Sequence, residues 1–384
     1  MRCWAQRVIS KSRLIRAIPI VALVALVALL AGCAAPTPTH TSAISTPKPT
    51  PTAAHAAAPS IRVPVRCADL FSDVTAASMI DSTVQFHINE TTLPKDIRFA
   101  AERQYGSLDC AWAGPDRPDG GYAEYFGVTI VPDAAAAFNG NIADVQEQDP
   151  PTLKNVAGDQ SELECFINGG LQCSSNMLVG DYWVAVQLNA GGSNATAAVG
   201  TSRMRSALTT IASRLSTATA TAGAVWNPPG ASLPTFCADD AHATSAVAVD
   251  AAVDGTGFFF EDSEAAPETA SGYPRDVGDY AECDWTTLGA GTFNDVFVAM
   301  LKGGAWVMPP LLGDLGVDSL ERGPFRTVDI SGAGTAAVSC TGDSGSCDAL
   351  VADGSVLIHV SLDYASNDIF DAALIKLVTA VAAT

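Results

Sequence analysis

Eight cysteines, arranged as two matching quartets, constrain this 384-residue chain more tightly than any other feature. Cys67, Cys110, Cys165 and Cys173 are separated by 42, 54 and 7 residues; Cys237, Cys283, Cys340 and Cys347 are separated by 45, 56 and 6. The flanks repeat as well. Cys67-Ala68-Asp69 matches Cys237-Ala238-Asp239, and Asp109-Cys110-Ala111-Trp112 matches Glu282-Cys283-Asp284-Trp285, an acid-Cys-x-Trp motif in each half. Alternating apolar runs follow at 126–131 and 296–301, then at 182–188 and 356–362, and a helical pattern closes each half at 202–215 and 369–382. Self-similarity of this kind marks an internal duplication. The length divides accordingly into two domains of roughly 150 residues each. They cover 61–216 and 235–384, joined by linker 217–234, where Pro228-Pro229-Gly230 stops any helix.

Ahead of the first quartet the chain changes character. Residues 1–16 carry five basic side chains and no acid, residues 17–32 form an apolar run, and Leu30-Ala31-Gly32-Cys33 stands at its end. The run is slightly short for a membrane span and has the make-up of a signal segment. Leucine three places before a cysteine, with small residues between, resembles the bacterial lipobox, whose cysteine is diacylated after cleavage of the preceding bond. The resemblance implies a signal peptide over 1–32 and lipidation at Cys33, and two acyl chains suffice for stable attachment. Cleavage would leave 16 basic against 41 acidic residues, a net charge of −25. Anionic lipid repels such a body, so the lipid on Cys33 must hold it at the membrane. The same charge excludes nucleic acid as a main partner, because counterion release needs Lys and Arg. Residues 33–60, nearly all Ala, Pro, Thr and Ser after the cysteine, read as an extended tether reaching some 80 Å at about 3.1 Å per residue. The expected location is the extracytoplasmic face of the cell membrane.

In an exported chain an even count of thiols reads as disulfides. The spacing offers none of the close pairs of a zinc site, and neither a metal nor a cofactor is expected. Each quartet allows three pairings. The short last interval suits local staples, Cys165–Cys173 and Cys340–Cys347, which leaves Cys67–Cys110 and Cys237–Cys283 to tie the first helix to the Trp strand. By chain entropy the long bridges contribute about 4 kcal/mol each and the short ones about 2.5 kcal/mol. Trp112 and Trp285 are expected to pack against them. One repeat reads as helix, strand, strand, helix, hairpin, helix. Ser72 caps a helix through Ser82 with Val74, Met79 and Ile80 toward a core, and 133–138 suggests a second, short helix. Strands at hairpin range predict an antiparallel sheet with helices packed on one face. The class is α+β, twice.

A lipobox, a Thr/Pro tether, a cysteine opening a helix and a later Cys-x-Trp together resemble actinobacterial lipoproteins of uncharacterised function. More loosely, the four-cysteine layout is similar to the extracellular sensor domain of mycobacterial serine/threonine kinases. The resemblance covers each repeat once and implies an extracytoplasmic α+β domain without a known activity.

Candidate chemistry is sparse. Gly342-Asp343-Ser344-Gly345-Ser346 nearly reproduces the nucleophile motif of trypsin-like proteases, and Thr52-Ala53-Ala54-His55 echoes their base motif. A triad needs its members within hydrogen-bond reach on rigid elements, yet His55 lies in the tether and Ser344 in a short stapled turn. His40 is also in the tether, and His87 and His242 are expected in solvent. His359 alternates with Val356, Ile358, Val360 and Leu362, placing it on the opposite sheet face with Leu357 and Ser361; repeat one shows Trp183, Ala185 and Gln187 there. Trp183 and His359 are therefore candidates for a ligand cleft, against the simpler reading that they pack beneath a helix or the other repeat. The acids lack the regular spacing of a calcium loop. The expectation is a non-enzymatic binding or sensing module of the envelope, its partner a wall component, a small molecule or an envelope protein. The alternatives are a hydrolase of wall polymer or peptide and an architectural spacer.

Overall fold

The computed structural model describes residues 58–94, 96–115, 124–145, 153–191, 196–218, 223–228, 230, 232–238, 241–253, 259–261, 270, 273, 279–286, 293–314, 326–330, 334–340, 346–364 and 370–384. The signal segment, Cys33, most of the tether and the 342–345 motif lie outside them. Each half builds one seven-stranded antiparallel sheet. In the first, β1 (Phe86–Ile88), β2 (Leu108–Ala113), β3 (Tyr125–Val131), β4 (Leu153–Lys154), β5 (Gln160–Ile167), β6 (Leu171–Val179) and β7 (Tyr182–Ala190) take the order β1-β2-β3-β7-β6-β5-β4. In the second, β8 (Phe259–Glu261), β9 (Tyr280–Thr286), β10 (Phe293–Leu301), β11 (Arg326–Ile330), β12 (Gly334–Cys340), β13 (Ser346–Asp353) and β14 (Val356–Tyr364) take the order β8-β9-β10-β14-β13-β12-β11.

The two orders match strand for strand, and so does the register. Cys110 lies opposite Val128, itself opposite Val186; Cys283 lies opposite Val298, itself opposite Val360. The duplication written in the cysteines is thus a duplication of the α+β fold, each copy with its own core.

Alternation assigns the faces. Phe126, Val128 and Ile130 of β3 and Val184, Val186 and Leu188 of β7 point inward, where the helices α1 (Cys67–Leu70), α2 (Asp73–Ile80) and α5 (Ala197–Thr217) cover them. Ser72 caps α2 by accepting from the Thr75 N–H, and Asp81 ends it in the left-handed region at φ 60°. The buried stripe is Ala76, Met79 and Ile80; Val74, expected in the core, is 81% exposed, because it falls outside that i, i+3, i+4 row. α5 buries Met204, Leu208, Ile211 and Leu215, and Gly200 passes so near the Cys173 sulfur that a Cβ would lie 2.6 Å from it. In the second half, α6 (His242–Val253) and α8 (Phe370–Ala382) cover the equivalent face, preceded in chain order by α7 (Met308–Asp314).

Four disulfides join the favoured pairs: Cys67–Cys110, Cys165–Cys173, Cys237–Cys283 and Cys340–Cys347. The short ones clasp directly opposed residues of neighbouring strands rather than a loop. Trp112 and Trp285 are fully buried in the same cores as the cysteines two places before them. Four disulfides suit an oxidising compartment. No helix among the described residues is long and apolar enough to cross a membrane.

Helices do not keep to one face. The outer face of the first sheet is covered by α4 (Ala135–Val145), which displaces the expected helix start by two residues, and the outer face of the second by α7 and a 3-10 turn at Gly304–Val307. Between them lies a further helix, α3 (Ile97–Tyr105). These residues all belong to one compact unit, Ala54–Thr384.

Candidate functional site

α3 is where the two halves meet. Asp96 caps it by accepting from the Arg98 N–H, and Gly106 ends it in the left-handed region at φ 95°, a conformation that favours glycine. Ile97, Ala100 and Ala101 pack on the outer face of the second sheet against Tyr280, Ala299, Leu301 and Leu357. The second half answers in kind. Ala270 and Tyr273 stand 13 and 10 residues before Cys283, as Ile97 and Ala100 stand before Cys110. They pack on the outer face of the first sheet with Val131, Leu178 and Trp183.

The other side of α3 roofs a groove over the first sheet. One part, about 210 Å³, is lined by Phe99 and Glu102 of α3 with Tyr125, Thr129, Asn176 and Gln187 of the sheet. A second part, about 100 Å³, shares Phe99, Tyr125 and Thr129 and adds Leu93, Arg103 and Asp109. Phe99 and Leu93 are 46% and 48% exposed, forming an apolar rim.

Asp109 is the acid of the first acid-Cys-x-Trp motif. Its Oδ1 is buried without a hydrogen-bond partner. Burial pushes its carboxyl above the usual carboxylate range, against the pull of a Thr129 hydrogen bond and the Arg103 charge. The Arg103 guanidinium is itself lowered by burial, and its Nη1 and Nη2 donate to the carbonyls of Glu90 at 2.8 Å and Thr92 at 3.2 Å. Tyr125 is pushed up to about 12 by burial and by the neighbouring Asp109 and Glu102. Gly127 makes room for that phenol: a Cβ there would lie 2.4 Å from the Tyr125 hydroxyl.

The matching acid of the second repeat is differently placed. Arg98 Nε of α3 donates to Glu282 Oε2 at 2.8 Å, and the Tyr280 hydroxyl donates to the same oxygen. The guanidinium also lies 5.2 Å over the Phe297 ring. Burial alone would lower Arg98, but Glu282 and Tyr280 hold it above its ordinary value. One helix thus supplies a cation to the acid of one repeat while roofing the acid of the other.

The candidates named from sequence fall apart. Trp183 is fully buried under Phe138 of α4 and Tyr273, with ring centroids 5.8 and 6.3 Å away. Its Nε1–H donates to Asn176 Oδ1 at 2.9 Å. It therefore packs rather than lines a cleft, and fixes Asn176 in the groove wall. His359 lies on the second sheet, where its Nε2 is 2.9 Å from Asp348 Oδ1 and its ring 5.7 Å from Phe297. Trp183 belongs to the cluster of Phe138 and Tyr273 on the first sheet, while the neighbours of His359 are Asp348 and Phe297 of the second, so the two have separate surroundings. His87, expected in solvent, stacks on Trp112 at 5.1 Å. Cys33, His40, His55 and Ser344 lie outside the described residues, among which no group of three or more His, Cys, Asp or Glu could hold a metal ion.

A second pocket on α3, about 170 Å³, lies between the halves, bordered by Arg62, Gln104, Tyr105, Trp226, Asp279 and Leu301. Arg62 Nε, Gln104 Nε2 and Trp226 Nε1 are buried there without hydrogen-bond partners.

No family model matches the chain, and no curated protein matches it. Among solved structures, DynU16, from the dynemicin biosynthetic locus, aligns over 83% of this chain and 91% of its own at 9% identity. Its TM-score of 0.11 carries no argument about fold or function.

Proposed function

We propose that this protein is a lipid-anchored binding protein of the bacterial envelope, held through Cys33 and taking a small ligand in the groove beneath α3. The observation that carries the reading is the groove itself: an apolar rim of Phe99 and Leu93 above a floor of convergent polar groups, Asp109, Tyr125, Thr129 and Asn176. Small-molecule sites commonly combine apolar walls with a few placed polar groups. Four disulfides support the extracytoplasmic part of the reading.

A ligand-observed NMR screen of small polar fragments against the detergent-solubilised full chain tests the binding claim. Occupants of the groove should lose binding in Phe99→Ala, and a chain that binds none of them refutes the reading. Metabolic labelling with an alkyne fatty acid tests the anchor. Label should vanish in Cys33→Ala, and its persistence would place the lipid elsewhere or nowhere.

A further inference from the structure

The two copies of the acid-Cys-x-Trp motif carry the same charge in the same register but not the same partner. Glu282 is met by Arg98, twelve residues ahead of Cys110; twelve residues ahead of Cys283 the chain has Ser271. The position equivalent to Arg98 in the second repeat thus holds a serine and not a cation. The cation near Asp109 on its own side, Arg103, donates to two backbone carbonyls, and Thr129 serves the carboxyl with a single hydroxyl. Oδ1 is left buried and without a partner, and Asp109 lines the smaller part of the groove. Among the described residues, Glu90 acts on Arg103, and Glu102 and Tyr125 are the further ionisable groups of this cluster. Tyr125, pushed up to about 12, is neutral; among the described residues the carboxyls of Asp109, Glu102 and Glu90 outnumber the one cation, Arg103.

We propose that Asp109 is the receiving group of a cation site: the groove beneath α3 takes a small ligand carrying a protonated amine on an apolar stem. The amine fills toward Asp109 the role that Arg98 fills toward Glu282, and the stem lies along Phe99 and Leu93. This rests on the binding reading above and names the ligand's chemistry. A buried carboxylate oxygen gains most from a charged donor, because charge-assisted hydrogen bonds are about twice as strong as neutral ones. The pocket of about 100 Å³ suits a short stem.

The test compares n-butylamine, n-butanol and butyrate by ligand-observed NMR titration of the detergent-solubilised full chain. Butylammonium should bind about tenfold or more tightly than butanol, and butyrate not at all. In Asp109→Asn the preference for the ammonium should disappear while butanol binding persists, a readout that a merely structural role of Asp109 would not give. In the wild-type chain the preference should grow as pH rises through the titration of Asp109, since butylamine stays protonated throughout. Equal binding of all three probes, or a preference that survives Asp109→Asn, overturns the cation site. If none of the three binds while the fragment screen finds other occupants of the groove, the cation site fails and the binding reading stands; if nothing occupies the groove, both fail.

Discussion

Truncating Trp183 separates a packing role from a ligand-lining one. The indole is fully buried between Phe138 and Tyr273, and its N–H satisfies Asn176. A tryptophan buries up to about 250 Å², which at about 25 cal/mol per Å² bounds its transfer contribution near 6 kcal/mol. Alanine keeps a small part of that area, and core Trp→Ala changes cost about 3–5 kcal/mol. Stranding Asn176 Oδ1 adds about 1 kcal/mol. Trp183→Ala should therefore cost about 5 kcal/mol, and Trp183→Phe, which keeps most of the ring contact, about 2 kcal/mol. Urea unfolding followed by circular dichroism reads both values. At about 2–4 °C per kcal/mol for a domain of this size, the alanine variant should also melt at least about 10 °C lower. A loss below about 1 kcal/mol, coupled to lost ligand binding, would refute this reasoning and return Trp183 to the wall of an open cleft.

Removing Cys67 and Cys110 together, as a double Cys→Ala variant, should cost about 4 kcal/mol, and removing Cys165 and Cys173 about 2.5 kcal/mol, because the first pair closes 43 residues of chain and the second 8; denaturant midpoints of the two variants check the order. Arg98→Ala should destabilise by about 2 kcal/mol, since it removes a half-exposed ion pair and a cation–π contact and leaves Glu282 beside Tyr280. Burial holds the Asp109 carboxyl above the ordinary aspartate range, so the folded state holds its proton more firmly than the unfolded chain does. Its contribution is most favourable below that ordinary range and is lost as pH rises through the folded-state value. Asp109→Asn should therefore gain stability over wild type at pH 8 and lose that advantage near pH 4 in paired thermal melts.

The repeated fold was legible because it is written in features with fixed consequences. Cysteine spacing, the acid-Cys-x-Trp motif and the period-2 runs recur in both halves, and the duplication, the antiparallel sheets and the disulfides follow from them, though not all seven strands of each sheet. α3 was not legible. Its buried residues Ile97, Ala100, Ala101 and Gln104 do form one i, i+3, i+4, i+7 stripe, but two of them are alanine and one is glutamine, while the large apolar Phe99 lies off the stripe and 46% exposed. A stripe built from small and polar side chains, opposite an exposed phenylalanine, carries too little hydropathy contrast to reveal its period. Losing α3 meant losing the groove it roofs, together with Phe99, Glu102 and Arg103. Asp109 was visible only as half of a repeated motif; that its copy in the second repeat is paired and it is not depends on Arg98, a residue of the unread helix. His359 and Trp183 were placed correctly on outer faces, but what lies over each, Phe138 and Tyr273 on Trp183 and Phe297 beside His359, comes from elements remote in sequence.

Photolabelling of intact cells with a short alkylamine that bears a diazirine on its stem tests the central claim most directly. Peptide mapping should find the label on the segments carrying Phe99 and Tyr125. Excess butylamine should compete it away, and Asp109→Asn should abolish it. Label spread over the surface, or unchanged in Asp109→Asn, would contradict a cation-accepting groove beneath the helix that joins the two repeats.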